Sequence, residues 1–126
     1  MVRANCPCGL PSSYVDCCGV LHRGERAAAT AELLMRSRFS AFAKLDEQYL
    51  LRSWHPRTRP AEVDFDRDMV WTRLEILGGS GGGLFHQDGT VEFNAHYRHQ
   101  GRDELMHEHS RFERVDGAWM YLEPIT

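Results

Sequence analysis

The chain predicts an α+β fold: one domain preceded by a small metal-binding appendage. Three observations carry that expectation. Apolar residues recur at helical spacing between Ala27 and Trp54 and then, from Val70 onward, at a spacing of two. Glycine-bearing turn signals, Gly101-Arg102 and Asp116-Gly117, divide the second half into hairpin-sized pieces. All four cysteines lie between positions 6 and 18, ahead of both halves. Helices followed by an antiparallel meander define the class, and 126 residues suffice for a single core plus the cysteine-bearing segment.

The cysteines come as Cys6-Pro7-Cys8-Gly9, then eight residues, then Cys17-Cys18-Gly19. Four soft ligands at that spacing point to a tetrahedral metal site, with Zn²⁺ the default ion. Pro7 narrows the backbone choices and Gly9 permits a positive φ just after the second ligand. Cys17 and Cys18 reach one ion only if the backbone turns sharply there, which Gly19 allows. Two disulfides or four free core thiols are the alternatives. Met1 to Asn5 form no apolar run, so a cytoplasmic, reducing location is expected and disulfides are disfavoured. Cys6-Pro7-Cys8-Gly9, Tyr14 and Cys17-Cys18-Gly19 resemble the SEC-C motif, the zinc module of the SecA translocation ATPase and of many bacterial proteins. Every ligand position fits. Leu10-Pro11 stands where Ser-Gly is common, and the lysines usual between the cysteine pairs are missing.

Val20 to Arg26 reads as a linker. Ala27 to Lys44 reads as a helix with Thr30 as a cap and an apolar stripe of Ala31, Leu34, Met35, Phe39, Phe42 and Leu45. Arg38 lies on that stripe, four residues from both Leu34 and Phe42. Asp46 caps a second helix, Glu47 to Trp54, which Pro56 stops. Residues 55–68 are irregular, with acidic Asp64, Asp66 and Asp68. Val70 to Leu77 alternates as a strand. Gly78 to Gly83 reads as a flexible loop rather than a phosphate cradle, since no Lys-Ser or Lys-Thr follows it. Leu84 to His86 reads as a short extended piece turned by Asp88-Gly89. Thr90 to Gln100, Asp103 to Val115 and Ala118 to Glu123 complete the sheet.

The hairpin turns predict a register. Asp116-Gly117 sets Phe112 opposite Tyr121 and Arg114 opposite Trp119. Gly101-Arg102 sets Tyr97 opposite Met106, Ala95 opposite Glu108, Phe93 opposite Ser110 and Val91 opposite Phe112. Opposed residues share a face. One face then carries these apolar residues with Glu108 and Ser110 among them. The other carries Glu92, Asn94, His96, His107, His109 and Arg111, with His107 opposite His96. Two independent turns that converge on one apolar face support each other.

Arg36-Ser37-Arg38-Phe39-Ser40-Ala41-Phe42, Trp54-His55-Pro56, Glu108-His109-Ser110-Arg111-Phe112 and Gly117-Ala118-Trp119 resemble the bacterial YchJ-like family. The resemblance covers nearly the whole chain. It implies a SEC-C zinc motif at residues 1–24 joined to a nuclear transport factor 2-like domain at residues 25–126, a cone of helices wrapped by a curved sheet. Many family members carry a second SEC-C motif at the C-terminus; after Cys18 this sequence has no further cysteine. The family brings no established activity with it.

Buried charges pair or shift their pKa. Glu108 on the apolar face and Arg38 on the helical stripe are therefore expected inside the cone. They form either an ion pair tying helix to sheet or, with Ser110 and Tyr97, a pocket for a small ligand. The three histidines of the opposite face read as a solvated surface beside a Glu92–Arg111 pair, and a second metal site there is the alternative. His22 is a spare donor beside a complete set of cysteines. Arg52, Trp54, His55, Arg57 and Arg59 form a basic aromatic cluster, read as a capped helix end or as a site for an anion or nucleic acid. The formal charge of −3 argues against nucleic acid, and no apolar run reaches the ~20 residues of a membrane span. The preferred reading is a structural Zn²⁺ protein that binds protein partners through the zinc motif. The alternative is a small enzyme or ligand binder using the cone pocket, with Glu108 as general acid or base.

Overall fold

The computed structural model describes residues 5–125; Met1 to Ala4, part of the stretch where a leader would stand, lie outside them. A one-turn 3₁₀ segment at Tyr14–Asp16 precedes helices α1 (Cys18–His22), α2 (Ala31–Lys44) and α3 (Glu47–Arg52). Four strands follow: β1 (Met69–Gly81), β2 (Asp88–His99), β3 (Arg102–Val115) and β4 (Ala118–Pro124). They form one antiparallel sheet in the order β1-β2-β3-β4.

Helix α2 begins at Ala31 rather than Ala27. Thr30 takes an extended backbone and its hydroxyl accepts from the Leu33 amide at 3.1 Å, which fixes the start. At the far end Leu45 adopts a left-handed conformation (φ 57°) and closes the helix. Asp46 caps α3 by accepting from the Tyr49 amide. The helix stops at Arg52, because Ser53, Trp54 and His55 leave it to run beside β4. There the Tyr121 amide donates to the Ser53 carbonyl and the His55 amide donates to the Tyr121 carbonyl. The expected linker after the cysteines is instead partly helical, since Cys18 and Gly19 begin α1.

The glycine run is strand rather than loop. Gly78 to Gly81 pair with Glu92 to Gly89, and Asp88-Gly89 belongs to β2 instead of turning the chain. A side chain on Gly79 would stand 2.2 Å from the Thr90 carbonyl, so the strands approach there only because glycine has no Cβ. Leu84 to His86 make the turn and are not extended. The β2–β3 hairpin turns at Gln100-Gly101, one residue earlier than expected. Both residues have positive φ (51° and 79°), the geometry of a tight primed turn.

The earlier turn moves the β2–β3 register by two residues: Phe93 opposes Glu108, Ala95 opposes Met106 and Val91 opposes Ser110. Because the side-chain period is also two, the face assignment survives. Asn94, not His96, opposes His107. The β3–β4 pairs Phe112–Tyr121 and Arg114–Trp119 stand as expected. The core lies between this face and α2, with Val91, Phe93, Ala95, Phe112 and Trp119 packed on Ala31, Leu34, Met35 and Phe39.

Candidate metal centre and cone cavity

The N-terminal knuckle closes by short-range bonds. The Cys6 amide donates to the Ser12 carbonyl at 2.7 Å and the Gly9 amide to the Cys6 carbonyl at 3.1 Å. Gly9 has φ 95°, the positive value expected after the second cysteine. The sharp bend at the second pair falls on Cys17 itself (φ −121°, ψ −109°). Gly19 instead permits a close approach, since a Cβ there would meet the Tyr14 carbonyl at 2.6 Å.

These turns bring the four Sγ atoms within 4.8 Å of one another, with Cys8 and Cys17 at 3.7 Å. The tetrahedral edge of a site with Zn–S bonds of ~2.3 Å is about 3.8 Å, so the donor set fits such an ion. Cys6, Cys8 and Cys18 are buried and Cys17 is half-buried. Packed thiols titrate against one another. Hydrogen bonds from Cys18 and Cys8 hold Cys6 far below the usual thiol range, and the same contact with Cys6 pushes Cys18 up. A cation among the sulfurs is what lets all four ionise together.

The knuckle is fastened to one face of α2. The Cys6 Sγ lies 3.4 Å from the Ser40 hydroxyl, and Arg36 Nη1 donates to the Cys8 carbonyl at 2.7 Å. His22 is a strut between the two rather than a fifth ligand. Its Nε2 donates to the Ser37 carbonyl at 2.8 Å, which leaves Nδ1 to accept from the Tyr14 hydroxyl at 2.6 Å. Ser40 and Arg36 belong to the family-like stretch 36–42, but nothing in the sequence marked them as partners of the cysteines. Only their place on the helical face opposite Arg38 could have marked them.

The other face of α2 lines a cavity of about 290 Å³, walled by Phe39, Phe42, Trp54, Trp71, Met106 and Tyr121, with Arg38 and Glu108 as its charged groups. Arg38 is 3 % exposed. Its Nη1 donates to the Leu50 carbonyl at 2.8 Å and to the Ser53 hydroxyl at 2.7 Å. Its guanidinium carbon stands 4.8 Å from the centre of the Trp54 ring and 4.7 Å from that of Tyr121. Burial pulls its pKa down to about 10, which the neighbouring Tyr121, Tyr49 and Glu108 partly oppose. It remains a cation at neutral pH.

The direct Arg38–Glu108 ion pair is not formed among the described residues. The Glu108 carboxylate instead accepts from the Ser110 hydroxyl and, at 3.5 Å, from the Tyr121 hydroxyl. The two-residue shift of register explains this: it moves Glu108 away from Ala95 and places it opposite Phe93. Ser110 is buried beside Glu108. Tyr97 lies outside the cavity lining and meets Trp71 edge to face, ring centres 5.2 Å apart. Trp54 and Trp71, which sequence reading did not place there, wall the cavity.

The remaining clusters resolve into structural contacts. On the outer face His107 pairs with Glu92 at 2.7 Å, His96 with Glu75 at 2.8 Å and Arg111 with Glu123 at 3.4 Å, in place of a Glu92–Arg111 pair. The basic aromatic cluster disperses: Arg52 bonds the carbonyls of Leu21 and His22, Arg59 that of Trp54, and His55 faces Glu113. No helix among the described residues is long and apolar enough to cross a membrane.

A four-cysteine knuckle clamped to helices packed on a four-stranded antiparallel sheet defines the class: a SEC-C-like cysteine cluster ahead of a nuclear transport factor 2-like domain. Residues 30–124 match the profile of the middle NTF2-like domain of YchJ. A UPF0225 protein of Streptomyces avermitilis is 59% identical over 120 residues, covering 95% of this chain and 83% of that protein. One from Streptomyces coelicolor is 58% identical over 118 residues, covering 94% and 92%. The solution structure of a SEC-C motif containing protein from Rhodopseudomonas palustris superposes with a TM-score of 0.83 at 36% identity, covering 96% of this chain and 97% of that one. The chain belongs to the YchJ-like UPF0225 family.

Proposed function

We propose that this chain is a binding protein whose Cys6, Cys8, Cys17 and Cys18 hold a structural Zn²⁺. The convergence of four protein sulfurs within 4.8 Å carries this reading. Four protein ligands complete a tetrahedral shell and leave no position for a substrate or an activated water. The ion then acts mechanically, fixing the knuckle that Ser40, Arg36 and Ser37 hold against α2. The resemblance of the relatives' SEC-C motif supports the same assignment. Protein purified under reducing conditions is expected to carry about one zinc per chain, and Cys8→Ala to lower that content. Metal analysis finding no zinc, with four reactive thiols in the native protein, would overturn the assignment.

Protein partners are the expected binding target. Their engagement of the zinc motif is supported by exposed Val15 on the knuckle. A second apolar point is the β1–β2 loop, where Phe85 is 94 % exposed beside exposed Leu84. Arg114 pins that loop through the carbonyls of His86 at 2.7 Å and Leu84 at 2.9 Å, so the aromatic tip is presented on a fixed backbone. One observation favours a second reading, a small ligand in the cone: the cavity of about 290 Å³ beside Arg38 and Glu108. Size and an aromatic lining with few polar groups are the usual marks of a small-molecule site.

A further inference from the structure

Arg38 is a cation buried in the core, and no carboxylate among the described residues lies within ion-pair distance of it. Its state is unusually well defined. The rings of Trp54 and Tyr121, perpendicular to each other with centres 5.2 Å apart, form a corner against one side of it, and both hydrogens of Nη1 are taken by Leu50 and Ser53. That leaves the donors on Nε and Nη2, along one edge of the guanidinium, with no partner among the described residues. An edge of this kind is the geometry that meets a carboxylate with two parallel bonds. The two Nη1 bonds and the corner made by the rings hold the group in place. The site is therefore organised before any ligand arrives.

The rest of the cavity restricts the ligand further. Its walls are aromatic and aliphatic, so the body must be apolar. An engineered apolar cavity of ~150 Å³ accepts benzene, so about 290 Å³ accepts a body roughly twice that size. Charge decides which anion fits. Glu108 lines the same space, held by Ser110 and Tyr121 rather than by Arg38. Arg38 and Glu108 already offset each other, so every negative charge a ligand brings is in excess; a monocarboxylate adds one, a phosphate monoester nearly two, which favours the former among anions.

We propose that the cone binds a small monocarboxylate with an aromatic body, its carboxylate on the free edge of Arg38 and its ring among Phe39, Phe42 and Trp71. The proposal rests on the reading of the cavity as a ligand site and adds the class of ligand. The test titrates the zinc-loaded full chain with three probes of matched shape: 3-phenylpropionate, its neutral amide, and 2-phenylethylamine. Trp54 and Trp71 fluorescence and calorimetry report binding. The expected result is saturable binding of the acid, with the amide and amine weaker by at least about tenfold. Arg38→Met is expected to abolish the preference for the acid. Because that substitution also removes two buried bonds, Met106→Trp provides an independent check. Met106 is 38 % exposed, and a larger side chain there should block the cavity and abolish binding, read by calorimetry because the added indole changes the optical signals, while leaving Arg38 and the far-UV spectrum intact. Equal binding of all three probes, lost in Met106→Trp, would keep the cavity as a ligand site but overturn the carboxylate assignment. Absence of binding by every probe at millimolar concentration would overturn both.

Discussion

The Tyr121 hydroxyl touches Glu108 while its ring covers Arg38, so one side chain links the two charges of the cavity. Burial first, and the Glu108 charge second, push its pKa up to about 12. A phenol whose folded pKa exceeds its unfolded value of about 10 contributes stability that is fully present below pH 10. That contribution is lost as pH rises through about 12. Spectrophotometric titration should therefore show Tyr121 ionising late, and Tyr121→Phe should flatten the alkaline limb of the stability profile. Burial also raises Tyr14 and Tyr49, so their ionisation should be delayed as well. The Arg38–Glu108 relation is testable at the same scale. Arg38→Met loses two bonds from a charged donor, each worth about 1.5–3 kcal/mol. Its coupling to Glu108→Gln in a double-mutant cycle should stay below about 1 kcal/mol, because the two groups communicate through Tyr121 without touching. A coupling of about 3–5 kcal/mol would show a direct buried pair after all. Sequence reading brought Arg38 and Glu108 to one interior because helical and strand periods assign faces. It could not decide between contact and proximity, since that depended on where one turn falls.

The same limit appears in the elements. Asp116-Gly117 was legible as a turn because both residues tolerate positive φ, and β3–β4 followed from it. Gln100-Gly101 was not, because glutamine is a poor marker of the left-handed position it occupies at φ 51°. The glycine run hid a strand for a related reason: composition signals freedom, while β2 supplies the partner that removes it. Two neighbouring glycines give a sharp test. At Gly78 an added Cβ meets nothing within 4 Å and the backbone has no positive φ, so Gly78→Ala should be neutral or stabilise by up to about 1 kcal/mol. At Gly79 the Cβ would collide with the Thr90 carbonyl, a backbone atom that cannot step aside. Gly79→Ala should cost roughly 1–3 kcal/mol or more. Denaturant melts of the two variants that coincide would show that β1 does not pair with β2 at this point.

At the scale of the whole molecule, α2 is the shared wall. Ser37, Ser40 and Arg36 hold the knuckle on one side, while Arg38, Phe39 and Phe42 line the cavity on the other. From sequence the knuckle reads as a small appendage ahead of the domain, because the cysteines and the cavity residues are far apart along the chain and only packing joins them. The packing changes the expectation. Chelation should loosen residues 5–22, whose short turns have little else to hold them once the sulfurs part. The sheet should persist, since Phe93, Phe112 and Trp119 are buried against neighbours outside the knuckle. Helix α2 should fall between, losing the Ser40 and Arg36 contacts while keeping its sheet-facing stripe. Hydrogen exchange on metal-loaded and chelated protein separates these zones, and Trp54 and Trp71 fluorescence reports whether the disturbance reaches the cavity wall. Unchanged exchange in α2 with unchanged fluorescence would return the knuckle to an independent appendage. Loss of protection throughout β2 and β3 would instead make the metal a condition of folding the core.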